Sequence, residues 1–153
     1  MSLGKITPIL RIFDEAKARE FYIDFLGFKV NFEHRFADDL PLYMGISKDD
    51  CVIHLSEHFG DCCPGAAIRI ETENVVAYQQ ELIAKQYKNA RPGLEHQPWG
   101  SREMSINDPF GNRLVFTTTI TNEISGTAEE VGAGNFQSLI HDNAKGKIYV
   151  DYS

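Results

Sequence analysis

Apolar and polar residues alternate from Ile6 to Ile12, and the alternation predicts a strand. Asp14 then stands as the N-cap of a helix over Glu15 to Phe25, where Ala16, Phe21, Tyr22 and Phe25 recur at helical spacing and Gly27 supplies the C-terminal stop. Phe28 to His34 alternates as a strand, Pro41 to Ile46 as a second and Cys51 to Leu55 as a third, with Lys48-Asp49-Asp50 as turn material. After a loop from Gly60 to Gly65 the order returns. Ala66 to Glu71 reads as a strand, Asn74 caps a helix through Val75, Tyr78, Leu82 and Ile83, and Tyr87 to Ala90 reads as a short strand. Ser101 to Ile106 and Arg113 to Thr119 are the last two strands, joined by the turn Asp108-Pro109-Phe110-Gly111.

The chain thus reads as βαβββ twice. Met44-Gly45-Ile46 and Met104-Ser105-Ile106 stand sixty residues apart, as do Leu10 and Ile70. The predicted fold class is α+β, with two βαβββ modules (about 5–58 and 64–119) forming a curved mixed sheet around a cavity. Alternation assigns Leu10, Ile12, Ile53, Leu55, Ile68, Ile70, Leu114 and Phe116 to one face of the strands, to be covered by the two amphipathic helices. The other face carries Ile9, Arg11, Val52, His54, Ala67, Arg69, Glu71, Arg113 and Val115. Charged and apolar atoms mix on that face in every strand, which suits a ligand cavity or a subunit contact better than plain solvent.

Residues 120–153 lie beyond the double repeat and read as an extension of unknown role. Ala128 to Val131 and Gln137 to His141 suggest short helical pieces, and Lys147 to Tyr152 an edge strand. Over all 153 residues, the 42% hydrophobic content and ten Phe suffice for a core, so disorder is a poor reading. A formal charge of −7 argues against unspecific grip on nucleic acid or anionic membrane. No apolar run reaches transmembrane length, and the first residues do not read as a signal peptide. Three Cys, two of them adjacent (Cys62, Cys63) and none in a CxxC spacing, are expected to be free thiols in a reducing cytoplasm.

Three stretches, AREFYIDFLGF (18–28), WGSREMSI (99–106) and DPFGNRLVF (108–116), resemble the vicinal oxygen chelate superfamily, which includes glyoxalase I, extradiol dioxygenases and bleomycin-resistance proteins. The resemblance covers about residues 5–119 and implies two modules closing a U-shaped sheet around a site. Enzymes of that superfamily usually hold a divalent metal at positions that fall here on Thr7, His54, Ala67 and Val115. A catalytic site needs about three His, Glu or Asp ligands, and only one of these four qualifies. Neighbouring residues Ile68, Arg69, Leu114 and Phe116 supply none under a one-residue slip. The metal-free bleomycin-resistance branch is the closer resemblance, through Ala66-Ala67-Ile68-Arg69-Ile70 and Pro98-Trp99-Gly100. It implies a homodimer that sequesters a small molecule, such as a glycopeptide antibiotic, in clefts at the subunit interface without any cofactor. The competing readings are a lyase or dioxygenase of the same fold using a divalent metal, and a structural dimer whose mixed face is an interface.

The candidate ligand-binding residues are Trp99, His54, Arg69, Arg113, Phe32 and Phe36; no catalytic or metal-binding residue is assigned. Carried over from the resemblance, Trp99 lays its ring on a flat ligand group, or else plugs the mouth of the sheet. His54 is a hydrogen-bonded wall residue or a general base. Arg69 and Arg113 can fork onto a carboxylate or phosphate, while Arg69 or Arg11 can instead pair with Glu71 across neighbouring strands. Phe32 and Phe36 line the cavity or simply pack. His54 and His58 are four apart, but on a strand running into a loop that spacing gives no shared face. No basic neighbour in sequence activates Cys62 or Cys63, which are read as inert.

Overall fold

The computed structural model describes residues 1–119. The helical and edge-strand pieces expected beyond Thr119 lie outside the described residues. The order is β1 (Ile9–Arg11), α1 (Glu15–Ala18) widening into a π-helix (Arg19–Phe25), β2 (Lys29–His34), β3 (Tyr43–Lys48) and β4 (Cys51–Ser56). The second half follows with β5 (Ala67–Glu71), α2 (Val75–Ala84), β6 (Glu95–His96), β7 (Ser101–Asn107) and β8 (Arg113–Thr119). Both halves are βαβββ, as the pattern predicts. Each forms a four-stranded mixed sheet, in the orders β1-β4-β3-β2 and β5-β8-β7-β6. The parallel pairs β1/β4 and β5/β8 need the long crossovers that the helices provide.

Both N-caps behave as the sequence predicts: Asp14 accepts from the Lys17 amide and Asn74 from the Ala77 amide. The first strand is shorter than its alternating pattern. Pro8 has no amide hydrogen to give a ladder, although its carbonyl accepts from the His54 amide. The strand expected at Tyr87 to Ala90 is a turn. Gln86 takes a left-handed φ of 54° that ends the helix, and the Tyr87 ring stacks on Phe25 at 4.6 Å between centroids. Pairing with β7 falls instead at Glu95 and His96, opposite Glu103 and Arg102.

One continuous core joins the modules. Leu10, Ile12, Ile53, Leu55, Leu114 and Phe116 are all buried on the face assigned to them. Ile68 and Ile70 share that face but are only partly buried, because β5 is an edge strand and α2 packs over β7 and β8. Polar contacts cross between modules as well. Asn112 donates from Nδ2 to the Arg11 carbonyl, the Tyr78 hydroxyl to the Leu26 carbonyl, and Lys85 Nζ to the carbonyls of Asp24 and Phe25.

Asp108 is the centre of this weld. Its buried carboxylate accepts the amides of Phe110 and Asn112, the Asn112 side-chain amide at 2.9 Å, and the Tyr22 hydroxyl at 2.6 Å. The first two shape the β7–β8 turn, as the Asp-Pro-Phe-Gly sequence leads one to expect. The last ties that turn to the helix of the other module. Burial, then the Asp108 charge, push the Tyr22 phenol far above its ordinary pKa, so it stays a donor. Asp108→Ala would strand several buried donors, each costing about 1–3 kcal/mol. We expect it to lose about 3–5 kcal/mol in urea unfolding, and Tyr22→Phe about 1–2 kcal/mol. A loss below about 1 kcal/mol for Asp108→Ala would show that the weld is not structural.

Candidate functional site

Sites on a β-sheet are built by deciding which face each side chain takes. On β4, Val52, His54 and Ser56 share the face opposite the helices, and on β3 their partners Ser47, Gly45 and Tyr43 do so too. β2 departs from simple alternation. Val30 pairs with Ile46, yet Phe32 pairs with Gly45, so Asn31 is an extra residue in a bulge. Strict alternation would have put Phe32 on the core side with Val30. The bulge turns it to the open face, and turns Glu33 to the helix side, where it pairs with Arg19 at 2.9 Å.

Gly45 makes that arrangement possible. A methyl group at this position would overlap the Phe32 ring, so the ring lies directly across the glycine. From there Phe32 meets His54 edge-on at 5.2 Å between centroids and lies nearly parallel to Tyr43, at 6.3 Å and 17°. The Tyr43 hydroxyl is 2.8 Å from His54 Nδ1. Phe36 reaches the edge of the group through His34 at 4.7 Å and His58 at 6.2 Å. Phe32 is 44% exposed and Phe36 74%, so the platform is uncovered in the single chain.

The second module places its equivalents by the same registers. Ile9 and Gly45 lie opposite His54, and Arg69 and Ser105 lie opposite Val115. Val115 is therefore the counterpart of His54, Arg69 of Ile9, and Glu103 of Tyr43. Where the first module has a Tyr–His contact, the second has an Arg69–Glu103 ion pair, with Glu103 nearly buried and Arg69 57% exposed. Neither arginine joins Glu71 as one alternative anticipated: Arg69 takes Glu103, and Arg11 lies 4.8 Å over the Phe13 ring.

Of the six candidates, the structure gathers Phe32 and His54, with Phe36 beside them. Arg69 sits on the second sheet, at a groove of about 450 Å³ that also involves Pro8, Val52 and Glu71. Arg113 is exposed at the start of β8 and makes no ion pair among the described residues. Trp99 is 41% exposed in the turn before β7. Tyr43, Gly45 and Glu103 were not singled out in the sequence. The sixty-residue repeat points to them, since it matches Gly45 with Ser105 and Tyr43 with Glu103.

The donor set does not fit a divalent ion. Among the described residues no three His, Cys, Asp or Glu side chains converge, and the positions of Thr7, Ala67 and Val115 supply no imidazole or carboxylate. Burial and the Asp61 charge push the Cys62 thiol up, and burial alone does so at Cys51, so neither is activated as a thiolate. Among the described residues no helix is long and apolar enough to cross a membrane.

The role assigned to Gly45 is open to measurement. Gly45→Ala should drive Phe32 off β3, abolish the ring-to-ring NOEs between Phe32 and His54, and cost about 1–3 kcal/mol. Adding Phe32→Ala should recover most of that loss; additive costs would show that the glycine does not serve the ring.

Residues 1–123 match the family model described as a glyoxalase superfamily protein. No curated protein matches the chain. Among solved structures, the bleomycin-binding protein of bleomycin-producing Streptomyces verticillus, crystallised with copper(II)-bleomycin, is 26% identical. That likeness covers 77% of this chain and 98% of the other, with a TM-score of 0.57. TnmS3, an antibiotic-binding protein from Streptomyces sp. CB03234, is 20% identical, covering 78% and 98%, with a TM-score of 0.61. The bleomycin resistance determinant encoded on transposon Tn5 is 18% identical, covering 76% and 98%, with a TM-score of 0.60. The match across both modules and the fold shared with these structures show that this chain belongs to the glyoxalase superfamily.

Proposed function

We propose that this protein binds and sequesters a small planar organic molecule, without a metal, in a cleft closed by a second copy of the chain. The observation that carries the reading is the uncovered aromatic platform of Phe32, Tyr43 and His54, laid over Gly45 and edged by Phe36. Large exposed apolar groups clustered beside polar ones mark a binding surface more often than plain solvent-facing sheet. The structural relatives that bind antibiotics favour an organic ligand, and the acidic balance of the chain suits a cationic one such as a glycopeptide antibiotic.

Magnitude argues for the second copy. Completing the burial of two partly exposed phenyl rings contributes roughly 2–4 kcal/mol. Even without the cost of association, that is millimolar binding at best. Sequestration needs a second wall, and in a homodimer Arg69, Arg113 and Trp99 of the other module are available to supply it. Catalysis by a metal-dependent lyase or dioxygenase is the reading this one displaces, since the donor set falls short.

The test is a thermal-shift panel of bleomycin and other planar antibiotics, run beside sedimentation analysis and metal analysis of protein purified without chelator. One member should raise the melting temperature by several degrees at near-saturating concentration, with the protein dimeric. Phe32→Ala should weaken that ligand about tenfold or more, and Trp99→Ala should weaken it and abolish any fluorescence change. Stoichiometric zinc, nickel, iron or manganese, or no response to any compound at millimolar levels, would overturn the reading.

A further inference from the structure

We infer that Tyr43 holds neutral His54 in the Nε2–H tautomer, so that the aromatic platform presents a hydrogen-bond donor and selects planar ligands that carry a carbonyl oxygen. This rests on the platform being the ligand site, and adds which chemistry that site recognises.

The tautomer follows from where the protons can go. The Tyr43 hydroxyl lies 2.8 Å from His54 Nδ1 and has no other acceptor among the hydrogen bonds of the described residues. Asp61, the carboxylate whose charge reaches Tyr43, is instead occupied by the Ser56 hydroxyl at 2.6 Å. Donation from the phenol to Nδ1 satisfies both atoms. The reverse arrangement, with Nδ1–H donating to the phenol oxygen, leaves the phenol hydrogen without a protein acceptor. Burial and the Asp61 charge also raise the Tyr43 pKa, which keeps the phenol protonated. A neutral imidazole that accepts at Nδ1 carries its own proton on Nε2.

Nε2 is available to a ligand. His54 makes no other hydrogen bond among the described residues, and the residue is partly exposed on the open face. The Phe32 ring stands edge-on to the imidazole, leaving a flat apolar surface next to an N–H donor. A ligand with a planar ring and an oxygen in the ring plane meets both at once. A purely hydrocarbon ring would cover Nε2–H and leave it unsatisfied, which is how such sites reject analogues lacking the polar atom.

Long-range proton–nitrogen NMR on uniformly labelled protein, in alkaline buffer, reads the tautomer without any ligand. His54 is expected to show a protonated Nε2 and an unprotonated Nδ1, and Tyr43→Phe to shift it towards a mixture. Binding of 9-fluorenone and fluorene, which differ by one carbonyl, then reads selection. Fluorenone should bind at least tenfold more tightly, and Tyr43→Phe should narrow the preference to about threefold or less. A predominant Nδ1–H tautomer overturns the inference. So does equal binding of the two probes, which leaves the platform intact as a ligand site. Binding of neither probe also overturns this inference, while the planar-ligand reading stands or falls by the antibiotic panel.

Discussion

Two small modules that each offer one half-covered sheet become a single body through the buried carboxylate of Asp108. It is placed in the β7–β8 turn by short-range bonds to Phe110 and Asn112, and its remaining acceptor capacity takes the Tyr22 hydroxyl from the first module. The helix bearing Tyr22 is thereby fixed against the second sheet. Asn112, held in the same network, reaches the Arg11 carbonyl at the end of β1. Apolar packing alone would bring the modules together, since burial is not directional. The polar weld specifies their relative placement, and with it which strands lie beside the seam.

Within that frame the two modules have diverged at matched positions. The first uses a bulge at Asn31 and a glycine at position 45 to lay an aromatic ring on its open face. The second has Ser105 where Gly45 stands, and a charged pair, Arg69 and Glu103, at the places of Ile9 and Tyr43. One backbone plan thus carries an aromatic surface on one side and a cationic group on the other. A bulge is a small change with a large consequence, because one extra residue exchanges the faces of everything beyond it.

Much of this was legible in the chain itself. Strand and helix positions follow from apolar periodicity, and both N-caps from Asp14 and Asn74. The buried face was assigned correctly residue by residue, except that edge placement left Ile68 and Ile70 partly open. What escaped depends on partners distant in sequence. The alternation of Phe28 to His34 gives no hint of a bulge, whose location is set by β3. The Tyr22–Asp108 bond spans 86 residues, and the Arg69–Glu103 pair 34. Tyr87 to Ala90 reads as a strand by composition, but Tyr87 stacks on Phe25 and the pairing with β7 falls at Glu95 and His96. In each case a non-local contact outweighs the local preference.

The polar side chains of the open face bear on what kind of chemistry it can perform. A general base or a metal ligand needs a lone pair that is both basic and unengaged. His54 has one nitrogen committed to Tyr43, and Glu103 has its carboxylate committed to Arg69 and Ser101. Freeing either group would leave its partner without its hydrogen bond, in one case a guanidinium without its counter-charge, and such losses typically cost a kcal/mol or more. On the inferred tautomer the outer nitrogen of His54 is a donor, as is the unpaired edge of the Arg69 guanidinium, while the Glu71 carboxylate stands at the Arg69 groove as an acceptor. Aromatic faces beside such donors can orient an acceptor-bearing molecule. With His54 and Glu103 engaged by their neighbours, and Thr7, Ala67 and Val115 at the other expected positions, the described residues of this face fall short of the donor set that a divalent ion needs.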